Sequence, residues 1–119
     1  MVNATLLQKS STRLYSARPM NTGRDDRYHI VETKQYRRDL RRLLRAGRYD
    51  VTKLDEVVNL LACGEVLPAR HRNHWLHGEL VGCEECRITS DWLLIYQRRD
   101  QTLTLMLVRT GRHTDLFEE

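Results

Sequence analysis

The stretch Arg109-Thr110-Gly111-Arg112-His113 places a guanidinium and an imidazole four positions apart around a glycine. Gly111 permits a sharp departure from an extended segment, so the two side chains are expected to converge on one point. An imidazole titrates near neutral pH and can hand a proton to a leaving oxygen. A guanidinium presents a fixed fork of donors to charge building on phosphorus. Together they suit phosphodiester cleavage. The same spacing also fits a plain surface turn with an ion pair to Asp115. Asp91, directly before Trp92, could orient a cation or act as a base, and it equally fits an ordinary turn before a strand. Trp92 and Tyr96, an even number of positions apart, read most simply as core.

Two further groups raise the question of a metal. His71, His74 and His77 recur every third residue, and Cys83 with Cys86 forms a C-x-x-C. In an extended strand residues three apart face opposite sides, which separates the two thiols unless a bulge intervenes. A structural site also needs a tightly spaced second half, and only the irregular His run is available. The reading is therefore no metal and no cofactor, with buried thiols and loop histidines.

These residues need elements to hold them. Tyr28 to Thr33 alternates as a short strand. A helix follows, capped by Thr33, with Tyr36, Leu40, Leu43 and Leu44 at helical spacing and Gly47 as its stop. Seven basic residues between Lys34 and Arg48 face a single acid, Asp39. Such a stripe is either a solvated face or a phosphate-contacting surface. A second helix starts near Asp50 or Thr52, buries Leu54, Val57, Val58 and Leu61, and ends around Cys63-Gly64. After a His-rich loop come three strands, about Leu80 to Ile88, Trp92 to Gln97 and Thr102 to Arg109, joined by short polar turns into an antiparallel meander. Leu93-Leu94-Ile95 is apolar at consecutive positions, so the middle strand is expected to be covered on both faces. The fold class is α+β: a two-helix hairpin packed on an antiparallel sheet, in the order β-α-α-β-β-β.

With 119 residues the chain has room for one domain and one modest core. Residues 1–27 show no helical or strand period and read as an N-terminal tail; residues 28–119 form the domain. The tail's Arg-rich, acid-poor character also suits a transit peptide, and Met20 is an alternative start. A net charge of +4 favours polyanionic partners without naming one. No apolar run approaches a bilayer span, so no membrane partner is expected. Three cysteines without a secretory signal argue for a reducing compartment, and the cytoplasm is expected.

Three segments, Asn73-His-Trp-Leu-His-Gly78, Cys86-Arg-Ile-Thr-Ser-Asp-Trp-Leu-Leu-Ile-Tyr96 and Arg109-Thr-Gly-Arg-His-Thr-Asp-Leu-Phe117, together resemble the YafQ branch of the RelE superfamily of mRNA interferase toxins, over about Tyr28 to Phe117. The resemblance implies a RelE-like ribonuclease that enters the ribosomal A site and cuts translated mRNA without metal. It also implies a cognate antitoxin protein that neutralises the toxin and, with it, binds operator DNA. By that resemblance His74, Asp91, Arg109, His113 and Phe117 match active-site positions. Arg87 stands where members commonly carry His, and Glu84 where a basic residue is frequent. A guanidinium stays protonated and cannot act as a base, so Arg87 is expected to bind the scissile phosphate.

The mechanism expected on this basis uses the RNA's own 2′-hydroxyl as nucleophile. Asp91 or His74 assists deprotonation, Arg109 and Arg87 stabilise the developing charge, His113 protonates the departing 5′ oxygen and Phe117 stacks on a base. The alternative is a toxin homologue whose departures at Glu84 and Arg87 leave only antitoxin or RNA binding. A metal-binding regulator using the His run and the thiols is a third reading.

Overall fold

Local chemistry punctuates the chain. In the computed structural model, which describes residues 27–117, strand β1 (His29–Glu32) runs into helix α1 (Lys34–Ala46). Thr33 caps α1 by accepting the Tyr36 N–H at 3.0 Å. Gly47 ends it in the left-handed conformation, φ 77°, donating its N–H to Leu44. Helix α2 (Val51–Ala62) starts on Asp50, whose carboxylate accepts the Thr52 N–H at 3.0 Å, and ends at Cys63.

The two helices form the expected hairpin. Tyr36, Leu40 and Leu43 of α1 and Leu54, Val57, Val58 and Leu61 of α2 pack on Cys86, Ile88, Trp92, Leu94, Tyr96, Leu105 and Leu107 of the sheet. Leu44, expected on this stripe, is instead 44% exposed. It lies about 100° around the helix from Leu43, off the flank of the packed face. The slot at helical spacing from Tyr36 and Leu43 is filled by Asp39, which is fully buried.

The later chain gives β2 (His74–Trp75), β3 (Glu84–Thr89), β4 (Trp92–Arg99), β5 (Thr104–Gly111) and a short helix α3 (His113–Leu116). The sheet order is β1-β5-β4-β3-β2. The expected β-α-α-β-β-β order therefore stands, with the two-residue β2 and the one-turn α3 as additions. The sheet is mixed rather than wholly antiparallel, because β1 lies parallel to β5, pairing Ile30 with Leu105 and Glu32 with Leu107. Only strands joined by tight turns are forced antiparallel; the helical hairpin gives β1 the long connection that a parallel neighbour needs. Strand β3 begins later than expected, since Gly78–Leu80 forms a 3-10 turn and Gly82 turns the chain at φ 94°.

Strand β4 is buried on both faces, as its apolar run required. A bulge between β4 and β5 has a larger consequence. Ile95 pairs with Arg109 but Tyr96 with Leu107, leaving Val108 as the extra residue. Regular alternation would put Arg109 on the face of Leu105 and Leu107. The bulge puts Thr110 there instead, where its hydroxyl accepts from Trp92 Nε1 at 2.8 Å and donates to the Leu93 carbonyl at 2.8 Å. Among the described residues no helix is long and apolar enough to cross a membrane. The expectation of an N-terminal tail over residues 1–27 lies, but for Arg27, outside the described residues.

Candidate active site

Alternation along β3 sends Glu84, Cys86 and Ile88 towards the helices and Glu85 and Arg87 to the opposite face. There Glu85, Arg87 and Leu93 form the floor of an open cleft of about 220 Å³. Arg72 and His74 wall it on one side, Ser90 and Asp91 stand in the turn between β3 and β4, and His113 closes it from the start of α3. Of the six residues expected in a site, His74, Arg87, Asp91 and His113 thus meet in one place. Phe117 stands beside them, its ring 5.1 Å from that of His113, centroid to centroid. The approach of α3 to the strand depends on Gly111, where a Cβ atom would lie 3.3 Å from Leu116 Cδ2.

Arg109 does not line the cleft, and its expected convergence with His113 is not seen. Its guanidinium instead grips Asp39, with Nε to Oδ2 at 2.8 Å and Nη2 to Oδ1 at 3.0 Å. Asp39 also accepts the Thr110 N–H at 3.1 Å, Gln35 at 3.2 Å and Arg42 at 3.3 Å. Burial alone pushes the Asp39 carboxyl upward, but the Arg109 guanidinium, the Thr110 N–H and Gln35 outweigh it and hold the group below the usual carboxylate value. Reciprocally, the bond to Asp39 raises the pKa of Arg109. The pair welds α1 to the end of β5. Asp115 pairs with Arg112, at 3.4 Å, rather than with Arg109.

One residue that sequence reasoning missed sits at the floor. Glu85 is buried, opposite His74 in the β2–β3 pairing, and its Oε1 lies 3.1 Å from His74 Nε2. The other ring nitrogen, Nδ1, faces the Arg72 carbonyl at 2.8 Å. A carbonyl and a carboxylate both accept, whereas a neutral imidazole carries one proton. The two acceptors, one at each ring nitrogen, fix the plane and position of the imidazole in the cleft wall. Glu85 Oε2 is buried with no hydrogen-bond partner among the described residues. The only sequence signal was an acid two positions from Arg87 on the same strand face.

Glu84 belongs elsewhere. It accepts from Asn73 at 2.7 Å and from the Tyr96 hydroxyl at 3.1 Å, forming a buried polar knot on the helix side of the sheet. His71 is buried, with Nδ1 against the Arg87 carbonyl at 2.5 Å. Burial, reinforced by Glu85 and Glu84, pushes the Cys86 thiol up to about 12, and burial raises Cys83 as well. Neither thiol is a ready nucleophile. Among the described residues no three His, Cys, Asp or Glu side chains are grouped so as to hold a metal ion.

A helical hairpin on this sheet, with a histidine- and arginine-lined cleft on the other face, defines a RelE-like toxin domain. The chain belongs to the YafQ family: the family model described as bacterial toxin of type II toxin-antitoxin system, YafQ, matches residues 28–118. Similar solved structures include a metal-bound toxin from Helicobacter pylori, 38% identical, TM-score 0.71, covering 76% of this chain and 99% of that one. YafQ from E. coli strain BL21(DE3) is 30% identical with TM-score 0.68, and the E. coli DinJ-YafQ toxin-antitoxin complex 33% identical with TM-score 0.68; each covers 76% of this chain and 98% of the other. No curated protein sequence matches the chain significantly.

Proposed function

We propose that this chain is the toxin of a type II toxin-antitoxin pair and an endoribonuclease that cuts mRNA at the ribosomal A site. The observation that carries the reading is the meeting of His74, Arg87, Asp91 and His113 in one cleft, two imidazoles with a carboxylate and a guanidinium between them. The 2′-hydroxyl of the RNA attacks the adjacent phosphorus, so the nucleophile comes with the substrate and no metal is required to generate one. His74, backed by Glu85, or Asp91 takes the hydroxyl proton. Arg87 neutralises the phosphorane-like charge from within the cleft, and His113 protonates the departing 5′ oxygen. Phe117, its ring tilted beside that of His113, receives a base. Arg109 contributes from behind: with Nε and Nη2 given to Asp39, it anchors the strand that leads to His113.

The reading includes a cognate antitoxin protein, supported by the DinJ-YafQ complex of the E. coli relative, and has this chain meet operator DNA only together with its own antitoxin. It places the protein in the cytoplasm. Induced expression of the chain tests it: growth should stop and new mRNA ends appear within translated frames, both relieved by co-expressed antitoxin. Growth arrest without mRNA cleavage would instead favour a binding module in which Arg87, unable to accept a proton, has replaced the catalytic group.

A further inference from the structure

A second hollow, of about 250 Å³, adjoins the cleft and shares Arg72, Arg87 and Ser90 with it. Arg70, His71 and Thr89 complete its polar lining, and no carboxylate contributes. The cleft contains Glu85 and Asp91; the hollow beside it carries three arginines and no acid. Among the described residues Arg70, Arg72 and Arg87 have no ion pair, so all three guanidiniums are available. Buried His71 holds the cluster together, since its bond to the Arg87 carbonyl ties the loop carrying Arg70 and Arg72 to β3. Arg72 adopts the left-handed conformation at φ 48°, which a glycine or asparagine would take at less cost. That conformation closes the 3-10 turn at Ala69–His71, with the Arg72 N–H donated to the Ala69 carbonyl, and leads the chain into the cleft wall.

We propose that Arg70, Arg72 and Arg87 form a second phosphate subsite, which holds the backbone phosphate next to the scissile one of a bound RNA strand. This rests on the ribonuclease reading for the identity of the strand. Successive phosphates are one nucleotide apart, and two hollows that share two arginines can take adjacent ones. Arg87 then bridges both phosphates, while Arg70 touches only the flanking one. The subsite sets the direction of the strand and adds affinity without reading base sequence.

The test is equilibrium binding of the purified chain to 2′-O-methyl RNA, which lacks the attacking hydroxyl, over a salt series. A hexanucleotide and a dinucleotide with one phosphodiester are compared. Arg70→Ala should lower the hexanucleotide's log-affinity slope against log salt by about 0.7, the value of one single-strand phosphate contact. The dinucleotide's affinity should not change, and Arg70→Lys should restore most of the slope. A hexanucleotide slope unaffected by Arg70→Ala, or an Arg70 dependence seen only with antitoxin, overturns the subsite. Failure of hexanucleotide binding does the same. The two readings separate cleanly: an unchanged slope together with mRNA cleavage by the unsubstituted chain removes the subsite and leaves the nuclease. A reduced slope without cleavage keeps the subsite and removes the nuclease.

Discussion

His74 and Glu85 face each other across the β2–β3 pairing with Nε2 and Oε1 3.1 Å apart, an edge-strand imidazole backed by a buried carboxylate at the floor of the cleft. The carboxylate fixes the position of the ring. Glu85→Gln keeps the shape and removes the charge. It should slow mRNA cleavage about a hundredfold, the lower end for loss of acid-base assistance, with native circular dichroism. Glu84→Gln, one residue earlier, should leave the cleavage rate of folded protein unchanged and cost about 1 kcal/mol in denaturant unfolding, because it loosens only the Asn73–Tyr96 knot.

The Asp39–Arg109 clamp predicts a stability change with a defined pH dependence. Asp39→Asn leaves a partly buried guanidinium uncompensated and should cost about 3 kcal/mol at pH 7. The folded-state pKa of Asp39 lies below its unfolded value, so its contribution is present above the unfolded value, near 4, and is lost as pH falls through the folded one. Urea unfolding of the two proteins from pH 7 downward should show the gap closing in that acid range. A constant gap would show that the carboxylate's charge is not what stabilises.

Much of this architecture was legible in the sequence, for reasons that also explain what was not. Thr33, Gly47 and Asp50 act on their own neighbours, so the helix boundaries could be read from residue type. The faces of β4 followed from its apolar run. Asp39 could be read only as the lone acid among seven basic residues, because its true partner is 70 residues away. The convergence of Arg109 with His113 was inferred from proximity along the chain, whereas the bulge at Val108 decides where Arg109 goes. Glu85 needed knowledge of strand pairing: alternation gives its face, but only the two-residue β2, too short to read, supplies His74.

For the α1 stripe the structure refines the choice of residues. Arg42 is tied to Asp39, so Arg38, Arg41 and Arg45 are the cations to reverse to Glu. If the stripe meets ribosomal RNA, the triple variant should bind ribosomes far more weakly and with a smaller salt slope, while remaining folded. Unchanged binding across a salt series would return the stripe to the status of a solvated face.

The thiols give a contrasting expectation. Cys83 and Cys86 changed together to Ser should lower stability by about 1–3 kcal/mol, since a hydroxyl replaces a buried thiol at Cys86. Cleavage per folded molecule should persist. Loss of cleavage in a folded protein would bring the cysteines into the chemistry.

The most direct measurement is cleavage of translated mRNA by purified His113→Gln, alongside Arg109→Lys, each checked for native circular dichroism and antitoxin binding. His113 lines the cleft from α3, and glutamine approximates its size while lacking a titratable proton. The rate should fall by about a hundredfold to ten-thousandfold in His113→Gln with antitoxin affinity intact. Arg109→Lys should also lose activity, because an ammonium cannot reproduce the two-pronged grip on Asp39. Full cleavage by folded His113→Gln would contradict the site proposed here.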